Sequence, residues 1–402
     1  MGAFEMRKMK LSVAAIAISA FALCTGVSLI ETRAQEPLVI GIAKSSTGFM
    51  SAYDVPAALG IKLAIQDINA QGGLLGRELQ WIYRDTKTDK AQAVIAAHEL
   101  IDDGADVLSV SCDFDYGGPA ASVAQEKGII ALGCAGSPRF GRQGVGPNAF
   151  SLDTQTPDEC GSLAEWASIS RGWKTVYLLT DTFIDYTKTC SQYFETRWVE
   201  LEGENSIVGR DTFLLTDTSI SSQVSRIRGL DTAPDVLFVP SCNPGLGVAA
   251  RQIRAAGIET PIITGVCGDG DYWLESVPGL DNFYNAAYVS TYLDDPWEDV
   301  NTFVRRQIEL DPEITQRAFA IIGYSEIQAY AEAVNRANSF DAAAVVEALE
   351  SFTEVPLLVG PTTFTKERHG DIWRPMVIVE VKDGKHHFVE RWKIQKPPPV
   401  KF

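Results

Sequence analysis

From Leu38 onward the chain alternates short apolar runs with longer stretches whose apolar residues recur every three or four positions. Leu38-Val39-Ile40-Gly41-Ile42-Ala43 is nearly continuous in apolar character, as a strand buried on both faces should be. After a polar loop with Gly48, Ile61, Ala64, Ile65 and Ile68 repeat at helical spacing. Asp54 is placed to cap that helix, Pro56 falls in its first turn, and Gly72-Gly73 supplies the positive φ that ends one. Leu79 to Tyr83 then alternates as a second strand. Strand, helix and strand within about fifty residues predict a right-handed crossover between parallel strands. Ligand loops lie at the carboxyl ends of the strands in such a sheet, so Lys44–Tyr53 is the first candidate binding loop.

The alternation continues. Ala91–Asp103 predicts a helix and Val107–Val110 a strand, which ends in a loop from Ser111 to Gly118 before Pro119 starts the next helix. Ile129–Leu132 is a strand ending in Gly133–Pro138. After a connection at Asn148–Thr156 the pattern restarts with helix Pro157–Ser170, strand Thr175–Leu179, loop Thr180–Asp185 and helix Tyr186–Leu201. Strands at Asp235–Val239 and Pro261–Thr264 flank a helix at Leu246–Ala256, and the second of them leads into a loop from Gly265 to Trp273. Long helices follow at Trp297–Leu310 and Ala318–Asn338, and then a hairpin turning at Asp383-Gly384. The fold class is α/β, with two doubly wound parallel-sheet lobes, because 402 residues exceed one ordinary core.

The run INAQGGLLGRELQWIYRDTKTDKAQAV, Ile68 to Val94, resembles the opening of the leucine/isoleucine/valine-binding family of ABC-transporter solute receptors. The likeness extends from about Pro37 to about Trp392. It implies a type I periplasmic-binding fold with three crossover segments, lobe 1 comprising residues 35–153 and 286–354 and lobe 2 residues 154–285 and 355–394. Residues 395–402 are expected to be a flexible tail. Ligand held by loops of both lobes favours the closed form, a linkage that needs no catalytic group. The implied partners are a small-molecule ligand (amino acid, amide, amine or aromatic acid) and an ABC permease in the inner membrane, with the receptor a monomer.

Charge and cysteine content sharpen the compartment. Arg7, Lys8 and Lys10 precede an apolar run from Leu11 to about Leu23, and Thr32-Arg33-Ala34 offers small residues for cleavage, so residues 1–34 read as a signal peptide and the chain as periplasmic. An uncleaved anchor is the alternative. Residues 1–34 hold four basic and two acidic side chains, leaving 31 Lys+Arg against 50 Asp+Glu, a net −19. Such a surface repels nucleic acid and anionic headgroups. Six cysteines remain, which in an oxidising compartment favours disulfides over buried thiols, with fifteen pairings possible. Topology narrows these. Cys112 and Cys134 end successive strands, Cys242 and Cys267 end successive strands of the other lobe, and Cys160 and Cys190 open successive helices, so 112–134, 160–190 and 242–267 are expected.

By the resemblance, the ligand loops carry Ser46, Thr47 and Tyr53, with the tyrosine covering the ligand side chain, and Ala135, Gly136 and Ser137 offering donors to a carboxylate. Two positions depart from the family pattern. Asp113 stands where amino-acid receptors carry a serine, and an aspartate there repels a ligand carboxylate. Cys267 stands near the place of a glutamate that pairs a ligand ammonium, with Asp269 or Asp271 able to substitute. The same loops hold Asp115, Asp181 and Asp185 among Phe49, Phe114, Tyr116, Phe183, Tyr186, Tyr272 and Trp273. Carboxylates with aromatic walls suit a ligand bearing a cationic nitrogen, although Lys44, Arg139 and Arg142 would suit an anion.

Catalytic and metal signals are poor. His98, His369, His386 and His387 have no metal-site spacing and no nucleophile beside them. Neither glycine-rich segment, Gly141–Gly146 or Gly245–Gly247, matches a dinucleotide fingerprint, so no enzyme, metal or cofactor is expected. A sensory receptor signalling to a membrane partner and a secreted α/β hydrolase are the alternative readings.

Overall fold

The computed structural model describes residues 36–313 and 317–401. The signal peptide expected at residues 1–34 lies outside them. Strand β1 (Leu38–Lys44) lies between the edge strand β2 (Leu79–Asp85) and β3 (Val107–Val110), followed by β4 (Ile130–Gly133) and β5 (Ala149–Thr154). All these pairs are parallel. Edge strand β2 is largely half-buried or exposed, whereas β1, β3, β4 and β5 are buried because helices cover both faces. These are α1 (Ser51–Ala70), α2 (Lys90–Asp102) and α3 (Phe114–Lys127) from the first half of the chain.

The second lobe repeats the plan with α4 (Thr156–Glu165), β6 (Val176–Asp181), α5 (Asp185–Glu202), β7 (Ile207–Phe213), α6 (Ser221–Arg228), β8 (Val236–Phe238), α7 (Gly245–Ala255), β9 (Ile262–Thr264) and β10 (Phe283–Ala287). The chain then returns to the first lobe through α8 (Glu298–Leu310), α9 (Arg317–Ala337) and α10 (Ala342–Glu350). There α9 lies along α1, and Gly60 and Gly323 permit the close approach, since a Cβ on either would strike the backbone carbonyl of Ala320 or Ala57. A small hairpin, β11 (Val355–Leu357) with β12 (Gly360–Thr362), precedes β13 (Gly370–Asp371), which pairs with β5. The closing hairpin, β14 (Met376–Lys382) with β15 (Lys385–Trp392), adds antiparallel to β10 and completes the second sheet, ordered β15-β14-β10-β9-β8-β6-β7.

Three connections therefore join the sheets: after β5, after β10, and between β13 and β14. The last falls between Asp371 and Met376, later than the boundary after residue 354 expected from sequence. The pairing of Gly370-Asp371 with β5 keeps the preceding segment on the first lobe's side. Helix α3 also begins earlier than expected, taking Phe114–Gly118 out of the loop. Its start is set by Asp113, whose side chain accepts from the N–H of Asp115, and Pro119 sits inside the helix. Asp54 does not cap α1. It lies within the first turn, where its carboxylate gathers the Ser45 N–H, the Ser111 hydroxyl and the Cys112 N–H, tying the ends of β1 and β3 together. β7 and α6 carry no sequence expectation. β7 is an edge strand with an exposed face, so its apolar signal is weak.

The tail is fastened rather than loose over its described residues. The backbone N–H groups of Gln395 and Lys396 donate to Glu165 at 2.7 and 3.0 Å, and Lys401 exchanges bonds with the Tyr193 hydroxyl. All three disulfides form in the expected pairing, with Cα separations of 4.4 Å for Cys112–Cys134, 5.3 Å for Cys160–Cys190 and 5.0 Å for Cys242–Cys267.

Candidate functional site

The ends of β3, β4, β8 and β9 face a buried cavity. The first lobe lines it with Met50, Tyr53, Cys112, Asp113 and Phe319, and the second with Ile184, Tyr186, Cys242, Val266 and Cys267. Asp153, near the end of β5, and Tyr288, just after β10, complete it where the chain leaves one sheet for the other. Its volume in this closed form is only ≈ 20 Å³, little more than one water's room. Two of the three disulfides present a sulfur to it, one from each lobe.

The lobes bond directly around this cavity. The Tyr53 hydroxyl lies 3.1 Å from that of Tyr272 and accepts from the Asn243 N–H at 3.4 Å. The Asp185 N–H donates to the Asp115 carboxylate at 2.8 Å, while the Asp185 carboxylate accepts from the Ser137 hydroxyl and faces Arg139 at 3.4 Å. Phe49 and Phe183 meet edge-on across the rim at 6.1 Å between centroids.

The cavity's polar groups are carboxylates and hydroxyls. Burial, and then the Asp115 charge beside it, pushes the Asp113 carboxyl up to about 7. Burial and the neighbouring Glu159 raise Asp153 well above the ordinary carboxylate range. Glu159, on α4, is pushed up to about 7 by burial, against two bonds that hold it down: the Tyr186 hydroxyl at 2.7 Å and the Val266 N–H at 3.0 Å. Three buried atoms in this group have no hydrogen-bond partner: Asp153 Oδ1, Glu159 Oε2 and the Tyr288 hydroxyl. Tyr288 is close enough to Asp153 to favour its charged form, yet not aligned to bond it. Arg374, on the third connection, donates to the Leu152 carbonyl at 2.7 Å and pairs with Asp371 at 3.5 Å, lending Asp153 only part of its charge.

Among the residues expected from sequence, the structure brings Tyr53, Asp113 and Tyr186 to the cavity together with Cys112, Cys242 and Cys267. Gly136 backs the wall, where a Cβ would lie 3.0 Å from the Tyr186 ring and 3.1 Å from Asp153 Oδ2. The others lie elsewhere. Ser46 and Thr47 bond Asp85 on the surface at 2.9 and 3.0 Å. Phe114 lies beneath the Arg139 guanidinium at 4.7 Å, Ala135 is buried behind the wall, Ser137 is held by Asp185, and Phe183 sits at the exposed rim. Asp269 is engaged by the Tyr292 hydroxyl at 2.6 Å, next to His386, outside the cavity. Lys44 is fully buried and paired with Glu326 at 3.3 Å. Sequence reasoning did not find Asp153, Glu159, Tyr288 or Phe319. The first three flank the crossings, Asp153 near the end of β5, Glu159 on α4 and Tyr288 just after β10, and ligands bind between lobes.

A family model described as a periplasmic binding protein matches residues 37–385. The chain belongs to that family. Periplasmic binding proteins similar to it include the Leu/Ile/Val-binding protein homolog 2 of Brucella abortus, 20% identical over 377 residues covering 88% of this chain and 94% of the relative. Among solved structures, the branched-chain amino acid transporter substrate-binding protein LivJ of Streptococcus pneumoniae, in complex with isoleucine, superposes with a TM-score of 0.77 at 21% identity, covering 89% of this chain and 99% of that one. An ABC-transporter solute-binding protein from R. palustris, in complex with benzoate, gives a TM-score of 0.74 at 19% identity, covering 91% and 100%. These likenesses show the fold, and the proteins named are solute-binding proteins rather than enzymes. No helix among the described residues of this periplasmic binding protein is long and apolar enough to cross a membrane.

Proposed function

We propose that this protein is the solute-capturing component of an ABC importer, released into the periplasm by removal of residues 1–34. It closes as a monomer around one small solute (an amino acid, amide, amine or aromatic acid) and delivers it to a permease in the inner membrane. The observation that carries this reading is the cavity at the strand ends, walled by both lobes and floored by residues of the connections between them. A guest there touches both lobes only when they are closed, so its binding energy shifts the hinge. The two structural relatives hold isoleucine and benzoate, and a solute of that size would enter this ≈ 20 Å³ cavity only as the lobes part and reclose around it.

The test is a thermal-shift screen of the purified protein, followed by small-angle scattering with each hit. A ligand at 100 times its Kd adds about 2.7 kcal/mol of stability and should reduce the radius of gyration. Solutes that stabilise without compaction, or turnover of the solute into product, would rule the reading out.

A further inference from the structure

We propose that the cavity takes a small organic ammonium ion that carries no carboxylate, held between Asp113 of the first lobe and Asp153, with Glu159 behind the wall beside Asp153. This rests on the solute-receptor reading above and names the class of solute.

The cavity lining contains carboxylates but no lysine or arginine. The nearest buried cations are already engaged, Lys44 with Glu326 and Arg374 with Asp371. An amino acid would bring a further carboxylate beside Asp113 and Asp153. The donor expected to receive it, the Ser137 hydroxyl, already donates to the protein's own Asp185. Asp153 and Tyr288 are both buried, at 3% and 0% exposure, and lie beside each other without an aligned bond, while Glu159 Oε2 has no partner. Buried carboxylate oxygens without a donor are costly, and an ammonium N–H or a methylated nitrogen's positive surface is the complement they lack. Burial raises all three carboxyls, helped by Asp115 at Asp113 and by Glu159 at Asp153, and a cation beside them would offset it.

The remaining wall favours an organic cation over a metal ion. Rings of Tyr53, Tyr186, Tyr288 and Phe319 close around the carboxylates, and such faces attract alkylammonium groups. A hard divalent cation needs about six oxygen ligands at bonding distance. Among the described residues the only cluster of metal-ligating type is Glu159 with Cys160 and Cys190, whose sulfurs are bonded to each other.

Calorimetry and thermal shift with methylammonium, trimethylammonium and tetramethylammonium chlorides, set against isoleucine, sodium benzoate and sodium chloride, test the proposal. At least one alkylammonium ion should bind, raise Tm and compact the protein in scattering, while isoleucine and benzoate do neither. Asp153→Asn and Asp113→Asn should each weaken that ion by on the order of tenfold, about 1.4 kcal/mol. If Asp153→Asn fails to fold, Asp113→Asn alone carries the comparison. Binding and compaction by isoleucine or benzoate with the ammonium ions inert would overturn the cation and leave the receptor. No response to any solute would overturn both, and ammonium binding unchanged in the folded variants would overturn the site.

Discussion

The two walls of the cavity are built to one plan and stiffened by different means. Each has a disulfide joining the ends of neighbouring strands, β3 with β4 and β8 with β9. Behind the first wall lies a buried ionic network: Lys44 donates to the Val110 carbonyl and pairs with Glu326, which accepts from Ser109, while Asp54 holds three donors nearby. The second wall has no such ion pair behind its disulfide among the described residues. There Asp181 accepts from the Phe183 and Leu215 N–H groups and from the Ser241 hydroxyl beside Cys242, as Asp54 does in the first lobe, while Glu159 accepts from one hydroxyl and one backbone N–H. The two walls thus share a buried carboxylate that gathers three donors, and the first adds the Lys44–Glu326 ion pair. That added pair predicts a stiffer platform in the first lobe than in the second.

The comparison breaks most severely at Glu326. Glu326→Ala leaves Lys44 buried without its counter-ion, and the loss should be about 3–5 kcal/mol by urea denaturation. The disulfides should not distinguish the walls. The bridged residues are separated by 22 and 25 positions, so replacing either pair by serine should cost about 3 kcal/mol, and a difference beyond about 1 kcal/mol would contradict the shared plan.

Acidity supplies a third test, with an unusual sign. Asp113 faces Asp115, Asp185 and Asp54, and its carboxyl titrates at about 7 in the folded chain against about 4 unfolded. Between those values the folded state holds the extra proton, so its contribution to stability is full below pH about 4 and is lost as pH rises toward 7, at up to about 1.4 kcal/mol per unit. Asp113→Asn should remove that part of the slope in a stability-against-pH series without ligand. The smallest effect is expected at Tyr186→Phe, which leaves Glu159 one donor fewer and should cost about 1 kcal/mol at neutral pH. A larger loss would mean that the second wall is as tightly determined as the first.

Much of this was legible from the chain, because strands buried on both faces and helices with one apolar face leave periodic signals. β1, α1 and the β14–β15 hairpin are local in that sense, and the disulfide pairing followed from which strand ends are neighbours. The cavity was legible where it is built just beyond strand ends, at Asp113 and at Tyr53 and Tyr186 in the first turns of α1 and α5. Asp153 at the end of β5, Tyr288 just after β10 and Arg374 on the third connection flank the crossings, where a side chain's neighbours come from distant parts of the sequence. Ser46, Thr47 and Asp269 fit the expected pattern of loop polarity, but closer partners hold them: Asp85 for the first two, Tyr292 for the third.

The last residues of the chain run over the outer side of α4 and α5 like a strap. Glu165 anchors them, and it also holds Arg197 at 2.7 Å, while Ile394 and Pro398 nestle where Gly161 leaves room. The helices so bound are the ones that carry Glu159 and Tyr186 toward the guest and share the Cys160–Cys190 bridge. Trimming the terminus, or burdening it with an affinity tag, therefore loosens the back of the wall the guest leans on, and any assay of grip should leave that end of the molecule as nature wrote it.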